Sequence, residues 1–147
     1  MNRIDNVGLA AEHLVAATLT NGGWFATLMP SATFPDIDVM ARKDGFKPIS
    51  VQVKGTRIGR GAVLFGSSST KLRCAADLYV FVKGATPGFT HAGWQTYVMT
   101  AADFRTVVQT NAQFHYVRIQ DAYNAAYLDA WEKVAAISTP IQEIGAG

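Results

Sequence analysis

Two short apolar segments joined by a tight turn constrain the fold of this chain more than any other feature. Residues 37–42 (IDVMAR) and 49–55 (ISVQVKG) are rich in β-branched residues, and Lys43-Asp44-Gly45 between them is typical of a turn. The gap is too short to hold a crossover helix, so the two segments must pair as antiparallel strands. The sequence therefore predicts a β-hairpin.

The other predicted elements place this hairpin in a larger sheet. Residues from about Asn6 to Asn21 favour a helix, with Asp5 or Asn6 as a possible N-cap and Gly22-Gly23 at its end. The segment GSSST at 66–70 is predicted to be a loop. Further strands are predicted at 24–30, 77–83, 94–100 and 114–119, and further helices at 101–109 and 121–137. This order is typical of an α/β or α+β fold with a central mixed β-sheet flanked by helices.

Length and composition predict one globular domain over residues 1–147. The chain is 49% hydrophobic and 16% charged, which is far from the composition of disordered segments. Its one cysteine, Cys74, excludes an intramolecular disulfide and a zinc cluster built from cysteines of this chain alone. No signal peptide and no run of about 18 apolar residues is visible. We therefore expect a cytoplasmic protein with no membrane partner.

Gln52 and Lys54 place two polar side chains in the apolar run ISVQVKGTR. Strand side chains alternate, so these two share one face while Val51 and Val53 share the other. An antiparallel strand with one solvent-facing side has the same alternation, which leaves an ordinary structural interpretation open.

Three carboxylates occur in similarly apolar surroundings. Asp36 and Asp38 share one face at the start of the preceding strand, although Asp is a poor strand former. Turn chemistry after Pro35 accounts for Asp36 well and for Asp38 poorly. Glu12 lies on the small, apolar stripe of the first helix, where it either faces the core or reaches solvent from the edge of the stripe.

Glu12, Asp38 and the Gln52-x-Lys54 pair, in the order helix, strand, hairpin strand, resemble the PD-(D/E)xK nuclease superfamily. This superfamily includes restriction endonucleases, archaeal Holliday-junction resolvases and some homing endonucleases. The resemblance covers roughly residues 8–57, from GLAAEHLVAATLTNGG to VQVKGT, and it departs from the usual motif by having Gln52 where Asp or Glu is usual. It implies a restriction-endonuclease-like fold and a metal-dependent endonuclease that hydrolyses DNA phosphodiester bonds.

The resemblance also implies a role for each of these residues. Asp38 would be the principal ligand of Mg²⁺, for which Mn²⁺ could substitute, together with the side-chain oxygen of Gln52 and the backbone carbonyl of Val53. Glu12 would hold a metal-bound water or a second ion, and Lys54 would orient the attacking water and stabilise charge on the phosphate. Because Gln52 removes one negative charge from the cage, we expect weak binding of Mg²⁺ or a preference for Mn²⁺.

Two candidates compete for the position of the main acidic ligand. Pro35-Asp36 supplies the literal "PD" of the motif, whereas Asp38 directly precedes the apolar run Val39-Met40-Ala41. We prefer Asp38, because its shorter separation from Gln52 suits a tight hairpin.

A basic segment follows the predicted catalytic strand. The net charge of +2 is too small to indicate a nucleic-acid partner by itself. Local cations after the strand could nevertheless contact DNA phosphates, although an ordinary solvated loop remains open. A homodimer is expected, because cutting a duplex or junction needs two cuts and this chain has one site. The predicted DNA-contacting residues are Arg57, Arg60, Lys71 and Arg73.

Two other classes of protein compete with the nuclease hypothesis. A degraded nuclease fold could act as a nucleic-acid-binding or scaffold module, and Gln52 would then be the first sign of decay. A domain that only mediates protein contacts would be favoured if the basic segment lay far from the four site residues. The sequence does not distinguish a defined DNA site from a junction, damaged DNA or RNA.

Overall fold

The computed structural model describes residues 6–30, 36–57 and 61–141. Asp5, Pro35 and Arg60, which the sequence analysis singled out, lie outside these ranges. The elements are, in chain order, α1 (Val7–Asn21), β1 (Phe25–Leu28), β2 (Val39–Arg42), β3 (Ile49–Arg57), β4 (Ala62–Ser67), β5 (Leu78–Gly84), β6 (Gln95–Thr100), α2 (Ala101–Val107), β7 (Gln109–Thr110), β8 (Phe114–Arg118), α3 (Ile119–Ala122) and α4 (Glu132–Ile137).

A five-stranded mixed sheet forms the centre of the described structure, in the order β1-β2-β3-β5-β6. The predicted hairpin is confirmed, since β2 and β3 pair antiparallel with Val39 opposite Val51. Strands β3 and β5 are parallel, and all other pairs in this sheet are antiparallel. A second, three-stranded antiparallel sheet has the order β4-β8-β7.

Two hydrophobic clusters lie on opposite faces of the central sheet, and β5 is therefore buried on both sides. Leu78, Val80 and Val82 of β5 pack with α1, and the intervening Tyr79 and Phe81 pack with the second sheet and α2. A strand buried on both faces reads as a continuous apolar run, as LYVFV does. The prediction of a central mixed sheet flanked by helices is thus confirmed.

The predicted helix boundaries are largely confirmed where the caps are strong. Helix α1 ends before Gly22, whose N–H donates to the carbonyl of Thr18, although Asn6 makes no side-chain cap at its start. Helix α2 begins with a full capping box, in which the hydroxyl of Thr100 and the carboxylate of Asp103 each accept a backbone N–H.

Two sequence predictions are wrong. The single helix predicted at 121–137 is two short helices, because the intervening segment hydrogen-bonds to β6: Val98 donates to Tyr127, and Asp129 donates to Thr96. The loop predicted at 66–70 begins inside β4, which extends to Ser67 and pairs with β8. In both places long-range pairing overrides local propensity. The two-residue strand β7 was also not predicted.

No helix within the described ranges is long and apolar enough to cross a membrane.

Candidate active site

Asp38 lies where β2 separates from β3. Ladder pairing between the two strands begins at Val39, and the Asp38 carboxylate oxygen Oδ2 accepts the N–H of Val53 at 2.7 Å. The carboxylate therefore satisfies a donor on β3 that has lost its neighbouring strand. Because the N–H and C=O of a strand residue point to the same side, the Val53 carbonyl also points towards this edge.

Gln52 and Lys54 lie on the face of β3 opposite to α1. They pair in register with Tyr79 and Phe81 of β5, whose side chains belong to the cluster under the second sheet. Both polar side chains are half-buried, so they are neither ordinary surface groups nor core residues. The Gln52 amide has no hydrogen-bond partner among the residues that the structure describes. Its oxygen is thus free to act as a ligand beside Asp38.

Glu12 approaches the same edge from α1, which packs directly on β3. A Cβ at Gly55 would lie 2.8 Å from the Ala11 Cβ and 2.9 Å from the Val7 carbonyl, so the helix and strand are in backbone contact here. Glu12 is the residue after Ala11, and this contact brings its carboxyl group to the edge that β2 leaves free. Its carboxyl group is close enough to that of Asp38 for Asp38 to raise the pKa of Glu12.

The pKa of Glu12 is raised from 4.5 to about 7. Burial is the largest cause, followed by the hydrogen bond to Asp38 and the repulsion between the two carboxylates. The positive charge of Lys54 acts in the opposite direction and lowers the pKa. In the metal-free protein, the Glu12 carboxyl group therefore keeps its proton up to about pH 7.

The site has two acids, one amide and one lysine, an arrangement that suits a weakly held hard cation. Carboxylate, amide and carbonyl oxygens are the ligands that Mg²⁺ prefers, and it uses only one or two carboxylates. Throughout the described ranges, no group of three or more His, Cys, Asp or Glu side chains is placed to hold a metal. With Gln52 in the third position, the protein supplies less charge than a three-acid site would.

Asp36 lies outside this arrangement of Glu12, Asp38 and Lys54. Its carboxylate faces Arg73, with 3.8 Å between Asp36 Oδ2 and the nearest Arg73 nitrogen. The pair is exposed, with 75% of the Arg73 side chain accessible, so it contributes little to stability. Asp38, and not Asp36, therefore lies beside the Val53 N–H and near the carboxyl group of Glu12.

Three of the four predicted DNA-contacting residues lie within the described ranges, and their surroundings differ. Arg73 and Lys71 are exposed, and the pairing of Arg73 with Asp36 places it close to the entry of β2. Arg57 is half-buried: its guanidinium donates to the carbonyl of Ala85 and lies 5.6 Å from the Trp94 ring centre. Arg60 falls outside the described ranges.

Phe65 is a neighbour of the site that the sequence analysis did not single out. The Lys54 ammonium nitrogen Nζ lies 5.0 Å from the centre of its ring. Phe65 belongs to β4, whose pairing with the distant β8 brings it to this location. No local pattern in AVLFGS signals this contact.

A mixed sheet with a helix on one face and acidic side chains at the point where a hairpin opens is the arrangement of the restriction-endonuclease-like fold. The comparison with solved structures confirms the predicted fold. The chain is similar to a bacterial homing endonuclease, I-Ssp6803I, with a TM-score of 0.59, 15% identity, and coverage of 88% of this chain and 91% of that one.

A Holliday junction resolvase, Hjc of Archaeoglobus fulgidus, also matches, with a TM-score of 0.47, 14% identity, and coverage of 78% of this chain and 86% of that one. No protein-family model and no curated protein sequence matches the chain.

Proposed function

We propose that this protein is a metal-dependent DNA endonuclease that hydrolyses phosphodiester bonds. One observation carries the proposal: the carboxyl groups of Glu12 and Asp38 lie near each other beside Val53 of β3, with Lys54 close enough to lower the pKa of Glu12. A shared fold with a homing endonuclease supports the same class of substrate.

Mg²⁺ would be held by Asp38, the Gln52 side-chain oxygen and the Val53 carbonyl, with Mn²⁺ able to replace it. When bound, the ion would neutralise phosphate charge and supply hydroxide near neutral pH. Asp38 fits this role because the Val53 N–H holds one of its carboxylate oxygens, Oδ2, and leaves the other oxygen for the ion.

Glu12 and Lys54 act on the water and the phosphate in this proposal. Glu12, once deprotonated, accepts a hydrogen bond from a water and orients it towards the scissile phosphate. Lys54 contributes a compact positive charge and three N–H donors, which stabilise the negative charge that develops on the phosphate oxygens. Both groups reach the same edge of β3 from different elements, so neither has to move far to reach a bound phosphate.

A cleavage assay with supercoiled, linear and branched DNA tests the proposal. In Mg²⁺ or Mn²⁺ the wild type should cut at least one of these substrates, and Asp38→Ala and Lys54→Ala should each abolish cutting. Lys54→Ala should still bind DNA, because most binding energy comes from phosphate contacts elsewhere. The proposal fails if no substrate is cut, or if both variants cut as well as the wild type.

A second hypothesis is a nuclease-fold protein that binds nucleic acid without cleaving it, and Gln52 is the observation that favours it. The same assay separates the two, because this protein would bind DNA and leave it intact in both metals. For the active enzyme we propose a homodimer, since one chain offers one site and a duplex needs two cuts. Sedimentation with and without DNA would test that assembly.

A further inference from the structure

We propose that Phe65 is a positioning residue for Lys54: its ring holds the Lys54 ammonium at the edge of β3. The inference rests on the proposed function, because it assigns Phe65 a role through the proposed catalytic lysine. The contact itself is direct, since Lys54 Nζ lies 5.0 Å from the Phe65 ring centre, within the range of a cation–π interaction.

Lys54 benefits from such a partner because its charged end interacts with Glu12 only electrostatically and forms no ion pair within the described ranges. A lysine has a flexible four-carbon stem and loses considerable rotamer freedom when it is held in one place. Within the described ranges Lys54 forms no ion pair, so the ring of Phe65 is the contact that restrains its ammonium. If the Lys54 side chain is already held in place before DNA binds, it loses less conformational entropy when it contacts the phosphate.

Phe65 is itself rigidly held by an aromatic cluster. Its ring centre lies 4.9 Å from that of Phe104 and 5.9 Å from that of Phe81. Phe104 is fully buried and stacks on Tyr79, with 4.0 Å between ring centres and an interplanar angle of 7°. Phe81 is the register partner of Lys54 on β5. The cluster therefore connects the second sheet to the strands that carry the site.

A β-bulge lies at Phe65. The ladder between β4 and β8 shifts between Leu64 and Ser67, so Phe65 and Gly66 stand opposite a single residue of β8. Gly66 has a φ of 100°, a conformation that residues with a Cβ rarely adopt. Bulges bend a strand locally and re-aim side chains, often beside active sites. We infer that this bulge sets the angle at which the Phe65 ring meets Lys54.

The variants that test this role separate the effect of the aromatic ring from the effect of side-chain volume. Phe65→Leu keeps an apolar side chain but removes the aromatic face, and Phe65→Tyr keeps the face. Phe46→Leu is the matched control, because Lys43 Nζ lies 5.5 Å from the Phe46 ring in the turn that precedes β3, away from the site. A purely structural role for Phe65 would change stability without changing the behaviour of Lys54.

Single-turnover cleavage gives the first readout. We expect Phe65→Leu to lower the cleavage rate about tenfold while leaving DNA affinity within about twofold of the wild type. Phe65→Tyr should restore most of the rate, and Phe46→Leu should leave it unchanged. Wild-type cleavage by Phe65→Leu, or equal loss in Phe65→Tyr, would overturn the inference.

The second readout uses the protein without DNA and does not depend on cleavage. NMR relaxation of the lysine ε-methylene groups should show Lys54 more restrained than the exposed Lys47 in the wild type, and equally mobile in Phe65→Leu. If Lys54 is already as mobile as Lys47 in the wild type, the inference is wrong even for an active enzyme. Restrained Lys54 in a protein that cuts no DNA would support the contact and count against the proposed function.

Discussion

Among single residues, Gln52 has the largest effect on the charge of the candidate metal site, because it is an amide where a third carboxylate would add negative charge. Its position on β3, beside Asp38 and on the same face as Lys54, follows from strand alternation and hairpin register, and both were visible in the sequence. The hydrogen bond from the Val53 N–H to Asp38 was not visible in the sequence, because it forms just before β2 begins and no local pattern marks that point.

Gln52→Glu should tighten Mg²⁺ binding by about tenfold, because a third carboxylate adds negative charge to the ligand set. Calorimetric titration of the wild type and variant would measure the change. Gln95→Glu is the matched control, since it adds the same charge on β6, two strands away from β3. A micromolar dissociation constant for Mg²⁺ in the wild type, or an equal gain in Mg²⁺ affinity in both variants, would contradict the hypothesis of a weak site with two carboxylates.

Glu12 should make the metal-free protein less stable as pH rises. Its pKa is about 7 in the folded protein and near 4.5 when exposed, so the folded state binds the proton more tightly than the unfolded state does. The free energy of unfolding should therefore fall between about pH 4.5 and pH 7 and change little above that. Urea denaturation at several pH values would measure it.

Glu12→Gln is the control for this pH effect, because the amide keeps the size and a hydrogen bond but cannot lose a proton. Subtracting its pH profile from that of the wild type removes all other titrating groups. An unchanged profile in the variant would show that Glu12 does not carry the raised pKa.

Among the secondary-structure elements, the contact between α1 and β3 is the one that brings Glu12 to the site. Gly55→Ala should destabilise the protein by about 1–3 kcal/mol, because the added methyl would overlap Ala11 and the backbone of Val7. The same change should reduce cleavage, since α1 would move away from β3 and take Glu12 with it. Chemical denaturation and the cleavage assay would measure the two effects.

Gly8→Ala on the same helix is the matched control for this prediction. A Cβ at Gly8 meets nothing within 4 Å, so the substitution should stabilise α1 by about 0.5–1 kcal/mol. Equal effects of the two substitutions would show that the close approach at Gly55 does not hold the helix in place.

The elements that the sequence predicted are those whose signals are local. The turn at Lys43-Asp44-Gly45 and the capping box at Thr100 act within a few residues, and both are present in the structure. Strand β4 was missed because its partner, β8, lies about fifty residues further along the chain. The helix predicted at 121–137 is interrupted by backbone bonds to β6, a tertiary effect that periodicity does not contain.

The whole molecule should unfold in one cooperative transition, because β5 contributes side chains to both hydrophobic clusters. All three tryptophans pack in or against the cluster under α1, whereas Phe104 is buried in the other cluster. Phe104→Ala should therefore lower the unfolding midpoint seen by tryptophan fluorescence, with a cost of about 3–5 kcal/mol.

Coincidence of the fluorescence and far-ultraviolet circular dichroism transitions would support the single domain predicted for residues 1–147. Separate transitions, or an unchanged fluorescence midpoint in Phe104→Ala, would instead indicate that the two clusters are independent units.

Locating Mn²⁺ by anomalous X-ray diffraction from crystals of the protein tests the central claim most directly. The account predicts an ion bound by the Asp38 carboxylate, the Gln52 side-chain oxygen and the Val53 carbonyl, with Glu12 and Lys54 beside it, and loss of that ion in Asp38→Ala. An ion bound elsewhere, or no ion at millimolar Mn²⁺, would contradict it.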